Sequence, residues 1–140
     1  MTTQIFFFIT LLVLTTFFTT TLASHDHDHD QDHHNPPLAT VHITNILPQK
    51  NNPMKIRCNS NKKYFGYKTL ACGEDYKWIA EERDLYFCEA LWGRFMASWH
   101  AFQPKRDIGQ QSVFWLVKQN GFFLSWDNST WVKKSIWETE

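Results

Sequence analysis

From Leu38 to the C terminus, apolar and polar residues alternate in short runs separated by polar or glycine-containing breaks. That period of two places one set of side chains inward and the other outward, which is the signature of half-buried antiparallel strands and not of helices. Val41, Ile43 and Asn45 alternate with His42 and Thr44, and Met54, Ile56 and Cys58 with Lys55 and Arg57. Further runs span Tyr76–Ala80, Asp84–Cys88, Phe95–Phe102, Ser112–Lys118, Gly121–Trp126 and Trp131–Trp137. The pattern predicts an all-β domain over residues 38–140, a sandwich or barrel of about seven to nine strands. Asn120-Gly121, between two apolar runs, predicts a type I′ hairpin turn. Glu81-Glu-Arg-Asp84 fits either a helical turn or a polar hairpin loop.

Three cysteines permit one intramolecular bridge. Cys58 and Cys88 each sit within a predicted strand, as a buried bridge requires, whereas Cys72 lies beside Gly73 in what reads as a turn. Pairing Cys58 with Cys88 leaves Cys72 as an inert semi-buried thiol or as a link between chains. The seven tryptophans, Trp78, Trp92, Trp99, Trp115, Trp126, Trp131 and Trp137, all lie in this domain and are expected mostly in its core. The run Val113 to Val117 is apolar on both faces. It is therefore either a central strand covered on both sides or a strand presenting aromatics to a partner.

Residues 1–37 are of another kind. Ile5 to Phe18 forms an uncharged apolar stretch of h-region length, and Thr21-Leu22-Ala23 offers a cleavage site, so residues 1–23 read as a secretory signal peptide. The n-region carries no Lys or Arg, but a membrane anchor needs a longer apolar core. Cleavage after Ala23 gives a mature chain Ser24–Glu140 in an oxidising compartment, with no membrane insertion thereafter. Residues 24–37 form a His/Asp-rich tail with no side chain able to build a core, and are expected to be disordered. His25, His27, His29, His33 and His34, interleaved with carboxylates, are candidate ligands for zinc, copper or nickel. Weak metal binding by this tail is the only cofactor chemistry anticipated. A tail without fixed ligands serves equally as a solvated spacer, or as a segment whose charge rises as its histidines protonate.

The whole chain carries 14 basic and 14 acidic residues, which excludes a polybasic nucleic-acid or membrane binder. That neutrality is a cancellation. Asp26, Asp28, Asp30 and Asp32 make the tail −4, so the domain is +4 and better suited to an acidic partner. No catalytic constellation stands out: the domain's histidines are His42 and His100, and there is no Gly-x-Ser-x-Gly, His-Glu-x-x-His or phosphate loop. Asn128-Ser129-Thr130 is a glycosylation sequon in a predicted loop.

These residues line up with a known pattern. Val41-His-Ile-Thr-Asn45-Ile-Leu47, Cys58-Asn-Ser60, Gly73-Glu-Asp-Tyr76-Lys-Trp78, Leu85-Tyr-Phe-Cys88, Trp92, Trp115-Leu-Val117, Gly121-Phe-Phe and Trp137 follow in the order and spacing of the plant self-incompatibility S-protein homologues, which the domain resembles. Arg57 stands where His is frequent before the cysteine, and only Gly66 of Tyr64-Phe-Gly66 agrees with the usual acidic-Leu-Gly. Many members have a second cysteine pair. Here Asp107 to Trp115 contains none, and Val113 aligns with one of the missing cysteines. The resemblance implies a disulfide-stapled antiparallel β-sandwich, secretion, no enzymatic activity, and a role as a protein ligand of a cell-surface receptor. Loops Gln49–Pro53, Asn59–Lys63 and Gln103–Gln111 are the expected contact regions. The alternative is a carbohydrate- or wall-binding module stacking sugars on a solvent-facing aromatic strip.

Overall fold

The computed structural model describes residues 38–48 and 53–139. The predicted signal peptide, the His/Asp tail with its five histidines, and Gln49–Asn52 lie outside the described residues.

Ten strands form two five-stranded sheets. One contains β4 (Asp75–Ile79), β1 (Thr40–Asn45), β7 (Ser112–Lys118), β8 (Gly121–Ser125) and β9 (Val132–Ser135), in that order. The other runs β10 (Glu138–Thr139), β6 (Phe95–Phe102), β5 (Tyr86–Trp92), β2 (Met54–Asn59) and β3 (Tyr64–Leu70). A four-residue helix α1, Pro104–Asp107, joins β6 to β7. The alternation seen in the sequence is the burial pattern itself: Val41, Ile43, Met54, Ile56, Cys58, Val113, Trp115 and Val117 all face a single core between the sheets. That arrangement is a β-sandwich.

Four local features differ from expectation. The sheets are not wholly antiparallel, since β1 runs parallel to β7, with His42 beside Phe114 and Val41 beside Val113. β3 has no counterpart among the predicted runs, because it is an edge strand buried only at Leu70 and so shows no alternation. The run Trp131–Trp137 supplies a single strand, β9, and a further strand, β10, follows it in the other sheet. At the β7–β8 hairpin, Lys118 pairs with Gly121, so the turn residues are Gln119 and Asn120. Neither has positive φ, hence no type I′ turn forms; the left-handed burden falls on Gly121 at φ 134°. A Cβ there would stand 2.5 Å from the Ser135 carbonyl oxygen, so glycine is needed for space as well as for conformation.

Cys58 and Cys88 face each other across β2 and β5 and form a disulfide, fully buried, with Cα atoms 4.1 Å apart. Cys72 is free and exposed in the β3–β4 turn, not semi-buried. Asn45, on the inward face of β1, is buried because its side chain closes the strand end. Its amide donates to the Leu70 carbonyl at 2.9 Å and its oxygen accepts the Leu47 N–H at 2.9 Å. The tryptophans divide as the core requires: Trp78, Trp99 and Trp115 are buried, and Trp92, Trp126 and Trp137 pack against them half-buried. Trp131 is also half-buried.

Candidate functional site

Strand registers place the start of β1 and β7, and the ends of β2, β4 and β6, at one end of the sandwich. Four connections therefore gather there: Ser60–Lys63 after β2, Ala80–Leu85 between β4 and β5, Gln103–Gln111 around α1, and Trp126–Trp131 between β8 and β9. Two of the three expected contact loops are among them. The third, Gln49–Pro53, leads into β2 at the opposite end and is mostly outside the described residues.

Polar side chains tie these loops down. Lys62 reaches Asp84 at 3.3 Å and Lys63 reaches Glu81 at 2.7 Å, linking the first two loops. The Lys63 ammonium holds Glu81 below its usual carboxylate range, and Glu81 in turn raises Lys63. Lys62 and Lys63 are solvent-exposed and Glu81 is partly so, whereas Asp84 is buried, so the Lys63–Glu81 tie contributes orientation more than stability. Glu81–Asp84 is neither helix nor hairpin: it is the turn in which the chain crosses from one sheet to the other, closed by the Asp84 N–H donating to the Glu81 carbonyl at 3.0 Å.

The α1 loop has a buried anchor that the sequence did not reveal. Asp107 is 1% exposed. Its carboxylate accepts from the Gln103 N–H at 2.9 Å, from Arg106 Nε and Nη2 at 2.8 and 2.7 Å, and from the Trp126 indole N–H at 2.9 Å. Arg106 also donates to the His100 and Ala101 carbonyls, and its guanidinium lies 5.3 Å from the Trp115 ring centre. Within a segment read as a variable polar loop, only Pro104, apt for the first position of a helix, was a local signal. The partners of Asp107 come from elsewhere in the chain, which no nearby residue discloses.

Asn128 is exposed at this same end, in left-handed conformation at φ 57°. Asp127 Oδ1 accepts the Ser129 and Thr130 N–H groups at 2.9 and 2.7 Å and the Ser125 hydroxyl at 2.8 Å. Those donors favour the charged form and hold the carboxyl well below the usual range. A depressed folded pKa stabilises the turn above the ordinary value of about 3.9 and gives way only as pH falls through the lower, folded one. Ser129 and Thr130 amides are thus expected to stay protected from hydrogen exchange at about pH 3. Asp127→Ala should abolish that protection at every pH, and loss with a midpoint near about 3.9 in the native protein would contradict it.

The two histidines of the domain lie apart from this end or off its loops. His42 is half-buried on an outer sheet face, its Nδ1 2.7 Å from Asp75 and its ring stacked on Phe114 at 4.9 Å. His100 is exposed and meets Phe87 edge-on at 5.6 Å. No group of three or more His, Cys, Asp or Glu suited to a metal ion occurs among the described residues. None of the seven tryptophans is exposed, so any solvent-facing aromatic strip for the wall-binding alternative has to come from other rings. The exposed aromatics are Tyr64, Phe65 and Tyr67 on edge strand β3.

A sandwich of this topology, carrying one buried bridge and bonded loops at one end, defines a small disulfide-stapled β-domain. Residues 40–137 match the family described as plant self-incompatibility protein S1, and the chain belongs to that family. Its fold is shared by a solved self-incompatibility protein homologue, described as one of a widespread family of small, highly stable, secreted proteins from plants. The TM-score is 0.59 at 16% identity, covering 73% of this chain and 96% of that one. No curated protein matches. Membership places this chain among secreted plant proteins, and among the described residues no helix is long and apolar enough to cross a membrane.

Proposed function

We propose that the protein is a secreted, non-enzymatic ligand that binds a cell-surface receptor through the loop end carrying α1. One observation carries this reading: large apolar side chains stand in solvent on loops and strand ends that polar bonds hold in place. Ile108 is 66% exposed directly after an α1 anchored by buried Asp107, and Leu85, Ile79 and Tyr64 are exposed at the same end. Exposing such groups is unfavourable for an isolated domain, and holding them rigid lowers the ordering cost of docking. Family membership supports a ligand over a catalyst.

The test is binding of labelled Ser24–Glu140 to intact cells of the source tissue. Saturable binding is expected, weakened by about tenfold or more in Ile108→Asp, as for a buried interface anchor. Ile136→Asp, exposed at the other end of the sandwich, should bind as the native protein does. Equal binding by all three proteins would refute this assignment of the receptor-facing end.

A further inference from the structure

The sandwich is closed differently along its two sides. On one, Phe65 of β3 reaches across to Trp78 of β4 at 5.8 Å between ring centres. On the other, β10 pairs with β6 only at Phe95 and Met96, so the rest of β6 faces β9 across an open gap. A cavity of about 280 Å³ lies there, with Trp99, His100, Gln103, Arg106, Lys134 and Ser135 among its walls.

Three side chains of its walls, Trp99, Arg106 and Lys134, keep a donor without an acceptor. Trp99 is 6% exposed, and its indole N–H is buried with no acceptor. The buried indole N–H of Trp78, on the other side of the sandwich, is also without an acceptor, whereas the indoles of Trp115, Trp126 and Trp137 donate to the Ala101 carbonyl, to Asp107 and to the Lys118 carbonyl at 2.8, 2.9 and 2.8 Å. An unmatched buried donor costs about 1–3 kcal/mol, so its retention calls for a physical reason. Arg106 uses four of its five N–H groups on Asp107, His100 and Ala101, leaving one on Nη1. Lys134 makes no ion pair among the described residues. No acidic side chain lines the cavity. Because the Arg106 charge is already balanced by Asp107, the uncompensated charge is that of Lys134 alone.

We propose that this cavity receives the carboxylate of an acidic side chain from a protein partner. A carboxylate offers acceptors only and a single negative charge, which matches an indole N–H, a guanidinium N–H and one ammonium. A phosphate dianion would bring twice the charge that the cavity balances. Gln103 and Arg106 belong to the α1 loop, so an acidic residue seated here lies next to Ile108. The inference names the chemistry of the partner for the receptor reading above and rests on it only for that partner being a protein.

The indole N–H signals of the seven tryptophans in ¹H–¹⁵N spectra of Ser24–Glu140 provide the test. Trp99→Phe identifies the Trp99 signal. Titration with N-acetylglutamate N-methylamide is expected to shift that signal saturably, and the neutral glutamine analogue is expected to leave it in place. Lys134→Gln alters an exposed residue and should keep the fold while weakening the glutamate affinity by roughly fivefold. No saturable shift with the glutamate probe overturns the proposal, as does an equal response to the glutamine probe or a response to inorganic phosphate alone. If Trp99→Phe fails to fold, one saturable indole shift whose midpoint rises roughly fivefold in Lys134→Gln supports the proposal, and an unchanged midpoint overturns it. Cell binding that fails while this titration succeeds would remove the receptor reading and leave the carboxylate site.

Discussion

Asp107→Ala is expected to destabilise the domain by about 3–5 kcal/mol, the range for removing one member of a buried, hydrogen-bonded ion pair. Four donors lose their acceptor at once: the Gln103 N–H, the Trp126 indole N–H and the two N–H groups of the Arg106 fork. Arg106 keeps its two carbonyl partners, which limits the loss, but its charge then has no counter-ion in a site where the pair is largely screened from water. Asp107→Asn should recover only part of the loss, because the amide supplies one acceptor oxygen and turns an NH₂ group toward existing donors. Urea unfolding followed by tryptophan fluorescence checks both variants, with an expected fall in the midpoint of roughly 1.5–3 M for Asp107→Ala at the slopes typical of small domains. A loss below about 1 kcal/mol would mean that the loop relaxes and hydrates, and that α1 is not rigidly held.

The same residue marks the limit of what the chain discloses before folding. Strands β1, β2 and β7 were legible because each has one face in the core and the other in or near solvent, so burial is written as alternation in Val41–Asn45, Met54–Cys58 and Val113–Val117. β3 was not legible, since Tyr64, Phe65, Tyr67 and Lys68 are all exposed and an edge strand buried only at Leu70 has no period to detect. The parallel pairing of β1 with β7 depends on residues more than 70 positions apart. Nothing local encodes it, because an alternating strand accepts neighbours of either direction. At the β7–β8 hairpin the pair Asn120-Gly121 correctly marked a turn but not its frame: pairing of Lys118 with Gly121 moves the turn one residue earlier and leaves glycine beside the Ser135 carbonyl.

The candidate site was legible in outline and opaque in mechanism. Composition picked out Asn59–Lys63 and Gln103–Gln111 as polar loops, and register brings them to one end. What orders them is long-range: Lys62 and Lys63 on residues of the β4–β5 crossing, and Asp107 on Trp126. Side chains that act on distant partners have the same local appearance as solvated ones. Trp99 shows this in the opposite direction, since its position on the inward face of β6 was readable but its lack of an acceptor was not.

Removing the bridge by Cys58→Ala/Cys88→Ala is expected to cost about 3–4 kcal/mol on the chain-entropy model. The two cysteines are 30 residues apart in sequence, and the loop they close contains β3 and β4, one in each sheet. In the native protein the bridge therefore confines the segment that must cross from one sheet to the other, and without it the unfolded chain regains that freedom. Alanine suits both positions, being apolar at sites with no exposure, though the space left by the sulfurs adds a packing loss to the entropic one. At roughly 4–8 °C per kcal/mol for a domain of this size, Tm should fall by about 12–30 °C. Cys72→Ser, at an exposed turn position, should leave Tm within roughly 2 °C of the native value and so separates bridge loss from thiol chemistry in general. Burial of both sulfurs has a further consequence: a thiol reductant reaches them only when β2 and β5 separate. Reduction of the native protein by dithiothreitol should consequently be slow without denaturant and accelerate steeply through the unfolding transition. Rapid reduction under native conditions, or a Tm change under about 5 °C in the double variant, would show that the sheets hold this segment without the bridge.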